Sequence, residues 1–378
     1  MSEMTRRERI LASARKQRAD RLPFFHWWRH MQTGWAERES RNRGMGLAWL
    51  RPPYVTRLHG VEITEARAVV DGRPIVRRTY ATPVGTVYED EFREPGTGQW
   101  HANRSWCSVT PWLTAHLIKG PDDYKVVKYL AENTEYLADY FPIEQATEWL
   151  GDEGIVMDAL PHSPLQMILI YWVGSEGGRC FLHLADYPEL VEDLIRAVSK
   201  SREPMYEIAA KSPAPASFCG DNIDGGLMGA KLFERYCMPE YEKQARVLHE
   251  HGKLMAVHMD GRLDNVKHLI PRTPIDIIEA FHPQPMGDLP LGEALALWKD
   301  KVVWMGYPSS VYQMGPRAIK EHMLSLLKEA VPGDRFAVEM STENQVSNEN
   351  LLALTSVLER VELPLTVEGV ERLAREIR

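Results

Sequence analysis

The sequence predicts an α/β barrel of the TIM type, (β/α)8, and three observations predict it. Short apolar runs alternate with helical stretches: Ile155-Val156-Met157, Leu254 to Val257, Ile275 to Ile278, Val302 to Met305 and Phe336 to Val338. The later runs start roughly 20–35 residues apart, the spacing of βαβ units in a parallel sheet. Each run ends in polar or glycine-rich residues, as barrel strands do at the mouth where active sites are built. The chain carries no Gly-x-Gly-x-x-Gly and no phosphate loop, so a Rossmann alternative has no fingerprint behind it.

Length and composition set the bounds. A chain of 378 residues suffices for one large barrel, and 44% apolar with 26% charged residues is the balance of a globular protein. A formal net charge of −8 argues against nucleic acid as a partner. Cys107, Cys180, Cys219 and Cys237 are too sparse for a disulfide framework. No run of about 18 apolar residues is present to span a membrane, and the charged start lacks the apolar core of a secretory signal. The expected place is the cytoplasm.

Taken in order, Thr5 and Glu8 fit a capping box before a helix over 5–18, with Ile10, Leu11 and Ala14 inward. Leu22 to Phe25 follows as the first strand. His26-Trp27-Trp28-Arg29-His30 then reads as aromatic packing before it reads as a pocket lining. Residues 55–93 are β-rich, with Asp71-Gly72 as a hairpin turn, and residues 50–100 form an excursion after the first strand within a single domain of 1–378. Residues 121–140 return to helical spacing, with Pro121 at the start. Met167 to Ile170 is either a strand or a buried helical turn. Residues 188–210 and 231–251 are helical, Pro239 interrupting the second and Gly252 stopping it. Further helices fall at 290–299, 316–329 and 348–360.

The candidate chemistry lies at the strand ends. In Leu254-Met-Ala-Val-His-Met-Asp260 four apolar residues run into His258 and Asp260, which share one face if strand geometry persists. Glu279 ends the next run, and Glu339 or Glu343 a later one. One imidazole with two or three carboxylates suits a divalent cation such as Zn²⁺, Mn²⁺ or Fe²⁺. The competing reading pairs the carboxylates with arginines such as Arg262 and Arg272. Asp221 and Asn222, after Gly220, are catalytic candidates or turn formers. His282 is an acid/base candidate or a loop histidine, and His162 is a weaker one. Tyr307 offers a phenol to substrate or satisfies it on a neighbour.

The chain resembles the uroporphyrinogen decarboxylase superfamily, which includes cobamide-dependent methyltransferases. The resemblance runs through Arg6-Arg7-Glu8-Arg9-Ile10-Leu11, Arg21-Leu22-Pro23, Thr82 to Val87 and Pro121-Asp122-Asp123-Tyr124. It is strongest in Gly220-Asp221-Asn222, Leu232 to Tyr236 through Pro239, Gly252-Lys253 to Gly261, and Glu349-Asn350-Leu351. It implies a TIM barrel. It also implies a zinc site of the form His-x-Cys with a distal Cys and, in some branches, a Glu between. Here those positions read His258-Met259-Asp260, Glu279 and Met340 to Glu343, so carboxylates replace thiolates and the expected metal set is His258, Asp260, Glu279 and Glu343. Oxygen ligands make a harder site, less suited to a thiol substrate.

The decarboxylase branch carries paired arginines after the first strand. This chain has Arg29 there, while Arg38, Arg41 and Arg43 come later, in what reads as a glycine-rich loop. The resemblance therefore implies methyl transfer between a small substrate and a corrinoid carried by a partner protein. A carboxy-lyase acting on an acidic substrate, with the metal or Arg29 as electrophile, is the first alternative. A non-catalytic tetrapyrrole- or corrinoid-binding protein is the second. A homodimer is left open.

Overall fold

The computed structural model describes residues 3–30, 34–92, 112–341 and 345–377. Eight parallel strands close a barrel: β1 (Phe24–Trp27), β2 (Gly46–Arg51), β9 (Gly154–Leu160), β10 (Ala216–Cys219), β11 (Leu254–His258), β12 (Ile277–Phe281), β13 (Val302–Gly306) and β14 (Phe336–Glu339). Each pairs with its successor, and β1 closes the ring by pairing with both β2 and β14. This is the predicted α/β barrel, with its β-rich excursion.

The barrel interior is filled in alternating large and small residues. Phe25, Trp27, Phe218 and Trp304 point in beside Ala48, Ala216, Ala256 and Ala337, so bulky rings meet methyl groups across the axis. Phe25 and Trp304 meet edge to face at 5.0 Å. Ile10 and Ala14 of the first helix (Arg6–Ala14) reach the same cluster and plug the lower end. That helix begins on the predicted Thr5–Glu8 capping box. The other parity of each strand, such as Met255, Val257, Ile278, Val303 and Val338, packs outward against the helices. Because side chains alternate, the inward column of β11 runs Leu254, Ala256, His258.

The excursion leaves later than the sequence suggested. Gly46–Arg51 is the second barrel strand, and the chain departs at Pro52-Pro53, where a strand cannot go on donating. It forms β3 (Tyr54–Leu58), β4 (Glu62–Val70), β5 (Arg73–Thr82), β6 (Gly85–Phe92), β7 (Trp112–Ala115) and β8 (Thr134–Ala138). β4 to β7 make an antiparallel meander, and β3 pairs with β8. The β4–β5 turn is Asp71-Gly72, both at positive φ (49° and 75°), the primed turn the dipeptide favours.

Two further expectations are corrected and one open alternative is decided. Residues 121–140 divide into a helix (Tyr124–Glu132) and β8, because Asn133 ends the helix. Met167 to Ile170 is helical, passing into a π turn (Ile168–Trp172). Arg38 and Arg41 sit in a helix (Trp35–Asn42) with Arg43 at its C-cap, not in a glycine-rich loop. Among the described residues no helix is long and apolar enough to cross a membrane.

Candidate active site

The uppermost inward layer of the barrel is polar. Register places His258 opposite Glu279, and Glu339 beside Phe25 and Gly306. Trp27 ends β1 in the same layer. Glu279 is therefore not at a strand tip, as the sequence suggested, but inside β12, and it is fully buried. A buried carboxylate needs partners. Glu279 Oε2 meets His258 Nδ1 at 2.5 Å, and Oε1 accepts from the Trp27 indole N–H at 2.8 Å. The Trp27 backbone N–H is in turn held by Ser341 Oγ at 2.8 Å. On the other ring edge, His258 Nε2 lies 3.5 Å from Asp260 Oδ2, beyond a normal hydrogen bond. The Phe218 ring lies against the imidazole at 5.9 Å.

The electrostatics follow from burial and charge together. Burial alone would push His258 down, but Glu279 and Asp260 outweigh it and hold the ring well above its usual value, as an imidazolium. Burial would raise Asp260 and Glu279; the imidazolium outweighs it and lowers both. Glu339 goes the other way. Burial, then the neighbouring Glu279 charge, raises it well above the carboxylate range, so it stays protonated. Its Oε2 is buried without a hydrogen-bond partner. The layer thus holds a cation between two anions, with a neutral carboxyl behind them.

The other candidates divide between this mouth and the packed structure. His282 lies over the tip of β13: a Cβ on Gly306 would come within 2.6 Å of its Nε2, so the glycine makes room for the ring. Burial lowers the His282 pKa, and Asp260 opposes that. Ala280, between Glu279 and His282, has a φ of 54° and marks a register shift between Ile278 and Phe281. Positive φ in a non-glycine residue is stored strain, of the kind that gathers at functional sites.

Asp221 is fully buried, accepting from the Ser163 backbone N–H and from the Tyr241 hydroxyl at 2.6 Å; it ties loops together. Asn222 is exposed at the rim with a φ of 45°. The Tyr307 hydroxyl donates to the Ile319 carbonyl at 3.0 Å and is spent there. His162 packs against Tyr171 at 5.1 Å, edge to face. Cys107, Glu343 and the Arg29 side chain lie outside the described residues.

The expected metal set is only partly assembled. His258 Nε2 and Asp260 Oδ2 stand at the separation of two donors on one tetrahedral ion. Glu279 instead engages Nδ1, the ring edge that would face away from such an ion. Among the described residues, no group of three or more His, Cys, Asp or Glu is arranged to hold a metal. The described residues thus bring together two of the four expected donors, His258 Nε2 and Asp260 Oδ2.

Sequence reasoning missed Trp27 as the donor to Glu279. The alternation of β1 was the available signal, since Phe25 inward puts Trp27 inward. It also missed His116 and Glu176 at the rim, which no strand-end pattern marks.

A barrel closed by eight parallel strands, with helices between them, is a TIM barrel, and the buried titratable groups lie at the C-terminal face where enzymes of this fold place their active sites. Among solved structures the chain is similar to a methyltransferase from Methanosarcina mazei, at 13% identity and a TM-score of 0.54, covering 98% of this chain and 100% of that one. At this identity the likeness establishes the fold. No protein-family profile and no curated protein matches the sequence.

Proposed function

We propose that this protein is a barrel enzyme that moves a methyl group from a small donor R–X–CH3, X being a heteroatom, with His258 as the proton donor to X. The observation that carries the reading is the unequal hold on the two nitrogens of a buried imidazolium. Nδ1 is locked to Glu279 at 2.5 Å, while Nε2 faces Asp260 at 3.5 Å and can give its proton to a ligand. The resemblance to cobamide-dependent methyltransferases and the activity of the structural neighbour support methyl transfer as the reaction. A corrinoid on a partner protein supplies the methyl-accepting nucleophile.

As the methyl carbon is attacked, the C–X bond breaks and X keeps the electron pair. X then takes the Nε2 proton and leaves as R–XH, and His258 is left neutral until solvent reprotonates it. Glu279 fixes the ring and stabilises its cationic form. Glu339, held neutral, keeps a further negative charge away from Glu279.

A second reading rests on the same 3.5 Å spacing: His258 and Asp260 are two ligands of a divalent ion, zinc before manganese or iron, with Glu279 orienting the histidine. Elemental analysis of the purified protein separates the two, since one equivalent of metal per chain favours the second. The test of the leading reading is methyl transfer to cob(I)alamin from a panel of O-, N- and S-methyl donors, by the wild type and His258→Gln. Transfer by the wild type that the variant loses supports it. Undiminished transfer by the variant overturns it.

A further inference from the structure

The excursion ends in an open edge. β4 (Glu62–Val70) is the outermost strand of the four-stranded meander, and among the described residues only β5 pairs with it. Every residue of β4 is exposed, on both faces of the sheet. The chain leaves β6 at Phe92 and returns in β7 at Trp112, which pair with each other on the far side of β5 from β4.

An edge strand offers a row of backbone donors and acceptors to another chain. Proteins blunt such edges with lysine or proline, with a bulge, by keeping the strand short, or by covering it. Among the described residues β4 has none of these devices. Its sequence, Glu62-Ile-Thr-Glu-Ala-Arg-Ala-Val-Val70, holds no lysine and no proline. Its register with β5 runs unbroken from Glu62↔Ala81 to Val70↔Arg73. At 9 residues it is longer than the usual strand of about 5–6. Near its two ends Ile63 and Val69 are 46% and 71% exposed.

We propose that β4 is the interface between two copies of this chain, paired antiparallel about a twofold axis at Ala66 and joining two meanders into one continuous sheet. That register pairs the whole strand, and in it the strand is complementary to itself. On one face Ile63 lies opposite Val69 of the second copy, and Glu65 opposite Arg67. Twofold symmetry repeats both pairs. The face reads apolar, acidic, basic, apolar along one strand and meets the same order reversed. A parallel pairing in register would set Glu65 beside Glu65 and Arg67 beside Arg67, so the charges select the antiparallel one. On the other face Thr64 lies opposite Ala68, and Ala66 opposite its own copy, small side chains that leave the backbones free to approach. Within the chain Glu65 is held by Arg78, whose Nε and Nη2 reach Oε1 at 2.8 and 2.6 Å. That contact orients the carboxylate, and its roughly four acceptor sites leave room for Arg67 of the second copy. A two-strand contact is small beside standard interfaces, so the dimer is weak and depends on concentration. The proposal is independent of the reading of His258.

The experiment is sedimentation velocity of the full chain over rising concentration, at low and high salt. The expected result is a monomer–dimer equilibrium that salt shifts toward monomer, because the two ion pairs are exposed. Arg67→Glu turns both ion pairs into like-charge pairs and should weaken the dimer by at least about tenfold. Val69→Lys should also weaken it, by adding edge lysines and removing both apolar pairs. Glu65→Arg alone should be monomeric for the same reason as Arg67→Glu. Mixed in equal amounts, Arg67→Glu and Glu65→Arg should form a heterodimer, since each strand then carries the charges the other lacks. A merely structural role for these residues would not produce that rescue. Circular dichroism checks that the variants are folded. A wild type that stays monomeric at every concentration, a dimer unchanged in folded Arg67→Glu and Val69→Lys, or a mixture that stays monomeric would each overturn the proposal.

Discussion

Two buried ion-pair networks of the barrel are built in opposite ways. One lies outside the strands, near the lower end of β11. Lys253 and Asp158 are both buried, and the ammonium meets Asp158 Oδ2 (2.9 Å), Ser212 Oγ (2.6 Å), the Ser212 carbonyl (3.0 Å) and the Ala209 carbonyl. Asp158 also accepts from the Ser212 and Ser217 hydroxyls at 2.5 and 2.7 Å. Burial pushes Lys253 down and Asp158 up, but every donor and carboxylate oxygen has a partner. The other network is the His258 layer, where Nε2 is loosely held and Glu339 Oε2 has no partner. A saturated network holds structure. An unsaturated one at a barrel mouth keeps bonding capacity for a ligand.

The largest expected effect tests the unsaturated side. His258→Gln should lower the rate of methyl transfer by about 10²–10⁴-fold, the usual worth of a general acid. Its cost in stability should be smaller, because the amide can still donate to Glu279. A variant that loses stability but keeps its rate would reverse the assignment. Lys253→Met should show the opposite pattern, losing about 3–5 kcal/mol by leaving Asp158 buried and unpaired. Urea unfolding measures that loss, and methyl transfer at a temperature where the variant is folded should be little changed.

Next comes the pH dependence. The folded pKa of Glu339 is raised, so its ionisation opposes folding: stability falls as pH rises above the unfolded value of about 4.3. Glu279 and Asp260 have lowered values; their contribution is present at neutral pH and is lost as pH falls through those values. His258, raised, contributes below about pH 6.5 and loses that contribution as pH rises through its folded value. Glu339→Gln mimics the protonated carboxyl. It should flatten the fall in thermal midpoint as pH rises above about 4.3 and stabilise the protein at neutral pH. Parallel midpoint curves for variant and wild type would refute this.

The smallest effect concerns the bulge. Ala280→Gly relieves a φ of 54° at the cost of added freedom in the unfolded chain. A net gain below about 1 kcal/mol is expected, read as a rise in the denaturant midpoint. A loss of 2 kcal/mol or more would mean that the Ala280 methyl packs more than it strains.

The barrel was legible because its evidence is local and repeated. Each of the runs at Leu254, Val302 and Phe336 is a strand, within a residue of where its apolar block falls. Gly46–Arg51 escaped because the arginines and glycines before it read as loop. In the site, His258 and Asp260 stood out because they follow an apolar run. Glu279 was placed at a strand end because the apolar block Ile275 to Ile278 starts before the strand does, so β12 reaches two residues further than the pattern implied. His258 was grouped with Glu279 from the sequence, but Trp27, its other partner, was not. Trp27 is 252 residues away, and only ring closure brings the two together.

That closure has a consequence for synthesis. β1, carrying Trp27, becomes an interior strand only when β14 pairs with it, and the Trp27 backbone waits for Ser341, 314 residues later. At roughly 5–20 residues per second, a ribosome takes about 15–60 s to cover that distance. In the last part of that interval the nascent chain carries His258, and then Glu279, without the seam that completes their surroundings. The polar layer around Glu279 is therefore completed only with the last strand.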